Sequence, residues 1–198
     1  MLGIISALPD EITAVIESLT EVSTQARGSR RYHQGNFEQC PVVAVFSGWG
    51  KVAAAATTTQ LIAAYDVTDL VFTGVAGAVQ HGLAIGDVVV GTDLMQHDMD
   101  ASPIFPRYEV PLLGKASMAT DAALRSRLRV AAQEFLTVDL AAAVPASSLD
   151  WFHVATPKVI EGVIASGDQF IDSAEEIDGL RRRLPQVACG FLEKRDCG

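Results

Sequence analysis

The chain has 198 residues, 49% of them hydrophobic and 20% charged, which excludes a disordered or collagen-like protein. That length can bury a core without disulfide or metal staples and suits one domain over residues 1–198. Fifteen Lys and Arg against 24 Asp and Glu give a net charge of −9, which argues against a nucleic-acid backbone as partner, since such binding rests on basic patches.

Cysteines at 40, 189 and 197 are too few and too irregularly spaced for a disulfide framework or a zinc site. The apolar start, Met1 to Leu8, is too short to span a membrane and has no basic flank, so it does not read as a signal peptide. A cytoplasmic protein without a membrane partner is expected.

Leu2–Leu8 is a continuous apolar run, the pattern of a strand buried on both faces. Pro9 suits a first helical position, with Asp10 and Glu11 in the first turn and Ile12, Val15, Ile16 and Leu19 at helical spacing. Strands are predicted over Arg31–Phe37 and Val42–Ser47. Ser47-Gly48-Trp49-Gly50 reads as a turn, and Lys51–Tyr65 as a helix rich in Ala and Thr. Asp69–Phe72 restarts a buried strand leading into Thr73–Ala78, and Ile85–Gly91 is predicted as another.

Asp98–Lys115 contains Pro103, Pro106 and Pro111 and reads as a long surface excursion, a feature that is often functional. Thr120 is predicted to cap a helix running through Phe135, with Leu124, Leu128, Ala131, Ala132 and Phe135 on one face. Residues 137–158 are poorly patterned. Val159–Ser166 reads as a strand, and Ser173 as the cap of a helix to about Leu184. Strands that alternate with helices and read as solid apolar runs predict an α/β fold with a largely parallel sheet.

In such folds ligands bind at the carboxyl ends of the strands, here Leu8–Glu11, Ser47–Lys51, Thr73–Gly77 and Ser166–Phe170. Glu11 either complements the helix dipole, as Asp10 does, or activates a water. Gly74 and Gly77 bracket either a tight turn or a loop that lets backbone approach a ligand. They form neither a dinucleotide-binding nor a P-loop motif. Phe170 is either a core residue or a platform for a planar ring. Trp49, between two glycines, is either a lid or a core plug. His97-Asp98-Met99-Asp100 packs three potential ligands together, but no second His stands at helical spacing, so a polar strand end is favoured over a metal site. No serine-hydrolase elbow is present.

Taken together, these segments resemble the 5′-methylthioadenosine/S-adenosylhomocysteine nucleosidases of the purine nucleoside phosphorylase superfamily. The resemblance is carried by Gly3-Ile4-Ile5-Ser6-Ala7-Leu8-Pro9-Asp10-Glu11-Ile12, by Ser47-Gly48-Trp49-Gly50-Lys51-Val52, and by Thr73-Gly74-Val75-Ala76-Gly77 with Gly86-Asp87-Val88-Val89. His97-Asp98-Met99-Asp100 and Ser166-Gly167-Asp168-Gln169-Phe170-Ile171 complete the order. It implies a three-layer αβα fold with a central mixed sheet, and hydrolysis of an adenine–ribose N-glycosidic bond in methionine salvage, by a homodimer using neither metal nor organic cofactor. Glu11 would handle the water, Phe170 would stack on adenine, and the Ile171 backbone would bond the purine edge. The Val75-Ala76-Gly77 backbone would line the ribose and water site, and Phe105 would help cover the 5′-thio group.

The sequence departs from the family pattern in two places. The family usually has Ser where Val75 stands and a smaller aliphatic residue where Trp49 stands. Val75 lacks a hydroxyl to position water, and Trp49 reshapes the ribose end, which opens the preference to related nucleosides of the futalosine type. After Cys189 the family continues with a Glu-Met-Glu segment, a helix, a strand and a Ser-Asp motif whose Asp protonates the purine. Here Gly190–Gly198 stand instead, so the last strand and helix are expected to be missing. Glu193 falls in register with the ribose-binding Glu, Asp196 lies too early to be the acid, and no residue takes that role. A non-catalytic nucleoside-binding protein is the alternative this raises. A phosphorylase would need a phosphate cradle, and Ala7–Asp10 and Gly74–Gly77 offer no hydroxyl for one, which favours water.

Overall fold

A computed structural model describes residues 1–169, 171 and 173–190. The fold is α/β with mixed sheets, and the strands divide between two five-stranded sheets in the compact units Met1–Val75 and Ala76–Gly198.

In the first unit β1 (Leu2–Ser6), α1 (Pro9–Glu17), β2 (Thr20–Arg27), β3 (Arg30–Phe37), β4 (Cys40–Phe46), α2 (Lys51–Tyr65) and β5 (Asp69–Phe72) follow in chain order. The sheet order is β2-β3-β4-β1-β5. β1 lies parallel to both β4 and β5, while β2, β3 and β4 form an antiparallel meander. Residues of β4 alternate between faces, as the pleat requires. Val43 and Val45 pack with Ile5, Tyr32, Leu61, Tyr65 and Val67, whereas Val42 and Ala44 pack with Ile12 and Leu19. The sheet is thus covered by α2 on one face and α1 on the other, the layered arrangement expected. Tyr32 stacks on Tyr65 with ring centroids 5.2 Å apart, and Arg27 donates to the Tyr65 hydroxyl at 3.2 Å.

β2 escaped the sequence reading. All eight of its residues are exposed, so no apolar alternation marks it; its ladder with β3 and the Arg27 bond to Tyr65 hold it at the sheet edge.

The second unit contains β6 (Gly77–Ala78), β7 (Val88–Gln96), β8 (Ser117–Ala119), α3 (Ala122–Glu134), α4 (Leu140–Ala143), α5 (Ala146–Trp151), β9 (Val159–Ser166), α6 (Ala174–Arg183) and β10 (Val187–Gly190). A π-helical turn, Phe135–Asp139, joins α3 to α4. The sheet order is β6-β10-β9-β7-β8, with β9 parallel to both β7 and β10. Its core is Val79, Met95, Ala165, Ile171, Leu180, Leu184 and Val187.

β9 falls where the sequence placed it, and Ser173 caps α6, accepting from the Glu176 N–H while the Glu176 carboxylate takes the Ser173 N–H and hydroxyl. β7 starts later than the predicted Ile85, because Asp87 ties up the preceding turn: its carboxylate accepts from the Ala84 and Lys158 N–H groups, both at 3.0 Å. Asp121 rather than Thr120 caps α3, accepting from the Leu124 N–H at 2.8 Å. Thr120 instead donates to the Gly91 carbonyl at 2.7 Å. Leu128 and Phe135, expected on a buried face, are exposed.

Candidate active site

Three parallel strands of the first unit end side by side, and their ends are tied across the sheet. The Ser47 N–H donates to the Ser6 carbonyl and the Thr73 N–H to the Ile5 carbonyl, each at 2.9 Å. Ser47, fully buried, also donates its hydroxyl to the Ser6 and Gly48 carbonyls at 3.0 and 2.8 Å. Arg30 reaches from β3 to clasp the same turn, donating to the Ser47 carbonyl at 2.8 Å and to the Ala53 carbonyl at 3.4 Å. Nothing in the sequence signals this clasp, because Arg30 reads simply as a polar residue after the β2–β3 turn.

Glu11 lies beside the ends of β1 and β5, half-buried in the first turn of α1. Leu8 precedes the helix and has no side-chain oxygen to cap it. The Glu11 carboxylate supplies the cap instead: Oε2 accepts from the Ala7 and Leu8 N–H groups at 3.1 and 2.9 Å. Oε1 accepts from the Val75 N–H, from beyond β5, at 2.9 Å. The bond that caps the helix and the Val75 bond together fix the carboxylate beside the ends of β1 and β5. An ionised carboxylate is an acceptor only, and every partner here is a donor.

Trp49 is 62% exposed and Val75 68% exposed. The core-plug reading of Trp49 is therefore wrong: the turn between β4 and α2 turns the indole outward. Gly74 leaves no room for a side chain beside Glu11.

In the second unit the structure joins two motifs that lie 70 residues apart. The Asp98 carboxylate accepts from the Asp168 N–H at 2.7 Å, and the His97 N–H donates to the Ser166 carbonyl at 3.0 Å. His97 is buried. A Cβ on Gly167 would lie 2.5 Å from His97 Nε2 and 2.8 Å from Asp98 Cγ, so only glycine fits between them. Asp98 is thus a loop anchor. Asp100 turns instead to Ser102, whose hydroxyl and N–H both donate to Oδ1, with Arg107 3.6 Å from Oδ2. The Ser102 bonds, with Arg107, hold the Asp100 carboxyl below its ordinary range. Among the described residues no three His, Cys, Asp or Glu side chains are grouped to hold a metal.

Ala76 is exposed and Gly77 pairs with Gly190 in the β6–β10 ladder. Phe105 is half-buried in the excursion, and Ile171 packs in the core. Phe170, Glu193 and Asp196 lie outside the described residues.

Residues 1–190 match the phosphorylase superfamily, a class with which the α/β fold agrees. The 5′-methylthioadenosine/S-adenosylhomocysteine nucleosidase of Staphylococcus aureus is 30% identical over 194 residues, covering 98% of this chain and 76% of the relative. The Neisseria meningitidis nucleosidase, solved with methylthio-immucillin-A, superposes with a TM-score of 0.81 at 28% identity, over 97% of this chain and 75% of that one. The Colwellia psychrerythraea nucleosidase, solved with adenine, gives 0.79 at 30% identity, over 97% and 72%. The chain belongs to the 5′-methylthioadenosine/S-adenosylhomocysteine nucleosidase family of that superfamily. No helix among the described residues is long and apolar enough to cross a membrane.

Proposed function

We propose that this chain hydrolyses the N-glycosidic bond of 5′-methylthioadenosine/S-adenosylhomocysteine-type nucleosides and releases adenine. The observation that carries this reading is the Glu11 carboxylate, fixed at the strand ends by the Ala7, Leu8 and Val75 N–H groups. A water oxygen bonds to C1′ of the ribose while Glu11 takes its proton. The C1′–N bond breaks with its electron pair on the purine, which takes up a proton from solvent water as it leaves, and the proton held by Glu11 returns to solvent. In this scheme Val75, Ala76 and Gly77 offer backbone groups to the ribose and water, and Glu193 binds the ribose. Phe170 stacks on adenine, the Ile171 backbone bonds the purine edge, Trp49 shapes the ribose end, and Phe105 covers the 5′ substituent.

We further place the protein in the cytoplasm, in methionine salvage, as a homodimer. Support for a dimer comes from α2, where Val52 is 81% and Ile62 53% exposed on an apolar outer stripe.

The test is adenine release, followed by chromatography with and without phosphate, from 5′-methylthioadenosine, S-adenosylhomocysteine and a futalosine-type nucleoside. Phosphate-independent release, lost by about 10²–10⁴-fold in Glu11→Gln, is expected. Release that requires phosphate makes the chain a phosphorylase. Calorimetric binding of adenine with no release over long incubation makes it a nucleoside-binding protein.

A further inference from the structure

The Glu11 carboxylate is gripped by N–H groups on two sides, and a glycine closes a third. A Cβ built on Gly74 would lie 2.9 Å from Oε1, 3.0 Å from Oε2 and 3.0 Å from Cδ, well inside ordinary van der Waals separation. The Gly74 backbone is not in the left-handed region that favours glycine. Alanine would therefore suit the chain conformation there, and the three atoms nearest its Cβ all belong to the Glu11 carboxylate. The next residue, Val75, supplies the N–H to Oε1, so the close approach and the bond arise from one stretch of backbone.

A carboxylate has about four lone-pair sites. Ala7 and Leu8 occupy those of Oε2, and Val75 occupies one on Oε1. We infer that Gly74 is a positioning residue for the hydrolysis: its missing side chain lets Glu11 lie against the chain with one acceptor site on Oε1 left to take a proton. This rests on Glu11 as the group that activates water. Any side chain at position 74 pushes the carboxylate away from the Val75 N–H and misdirects that site.

The experiment combines kinetics with a thermal-stability cycle over Gly74→Ala, Glu11→Ala and the double variant. A displacement on the order of 1 Å costs about 10²-fold in rate, so kcat in Gly74→Ala should fall by that factor. KM should stay within about threefold, because the contacts that bind substrate are kept. Gly74→Ala should lower the melting temperature when Glu11 is present and leave it unchanged on the Glu11→Ala background. If Gly74→Ala alone does not fold, folding of the double variant supports the same coupling. Unchanged kcat, or an equal melting penalty on both backgrounds, overturns the inference. If the unmutated chain releases no adenine, the proposed hydrolysis falls, and the stability cycle still decides whether Gly74 sets the carboxylate.

Discussion

Glu11 caps a helix and faces the strand-end site with the same carboxylate, so its replacement should be felt twice. An amide at this position turns one acceptor into a donor, and all three partners are N–H groups. Glu11→Gln should therefore lose about 1–3 kcal/mol of stability, measurable by urea titration, in addition to turnover. Sequence spacing leaves the helix-dipole and water-activating readings of Glu11 side by side because it shows only local neighbours; the Val75 bond, 64 residues away, exists only in the fold. Likewise, spacing reads Asp98 only as part of a polar strand end, and the fold makes its carboxylate an anchor for the Asp168 N–H.

Cys189 and Tyr32 show what burial does to a side chain, in Tyr32 against the opposing charges of Arg30 and Arg27. Burial pushes the Cys189 thiol up to about 11 and raises Tyr32. Folding then favours the protonated forms, whose contribution is full below the unfolded pKa and is lost as pH rises through the folded one. The melting temperature should thus fall between pH 9 and about 11. Cys189→Ser and Tyr32→Phe should each flatten that decline.

At the scale of elements, legibility followed side-chain patterning. β9 and α2 could be read because apolar or small residues fill them apart from Glu161 in β9 and Lys51 and Gln60 in α2. β2 could not, since Thr20–Arg27 faces solvent throughout. The start of β7 was misplaced because Ile85 looks like strand, while the Asp87 bonds to the Ala84 and Lys158 N–H groups impose a turn. α3 buries no residue fully, so its end groups weigh heavily in its stability. Asp121→Ala should cost about 1 kcal/mol, read as a lower melting temperature with slower turnover not expected. Thr120→Val, which removes the bond to the Gly91 carbonyl, should instead weaken the anchoring of β8 beside β7, seen as faster amide exchange at Leu94 and Met118.

For the molecule as a whole, composition described an ordinary globular chain, yet its apolar residues are not all inside. Val52 and Ile62 on α2, and Leu128, Val130, Phe135, Val138, Trp151 and Phe152 in the second unit, are exposed. Patches of this kind mark association surfaces. Sedimentation at rising concentration should show self-association, and Val52→Glu with Ile62→Lys should shift it toward monomer while leaving the far-ultraviolet circular dichroism unchanged. A chain that stays monomeric at high concentration would count against the dimer.

The order of strands also sets a timetable for synthesis. The first sheet is complete once residue 72 has been made, whereas β10, buried at every residue, sits inside the second sheet between β6 and β9. β6 finds its partner only when Val187–Gly190 arrives. At about 5–20 residues per second, the ribosome takes roughly 6–24 s to cover that interval. Through that time the early unit can fold while the later one holds an open seam, so a nascent chain in a cell meets chaperones mainly through its second half.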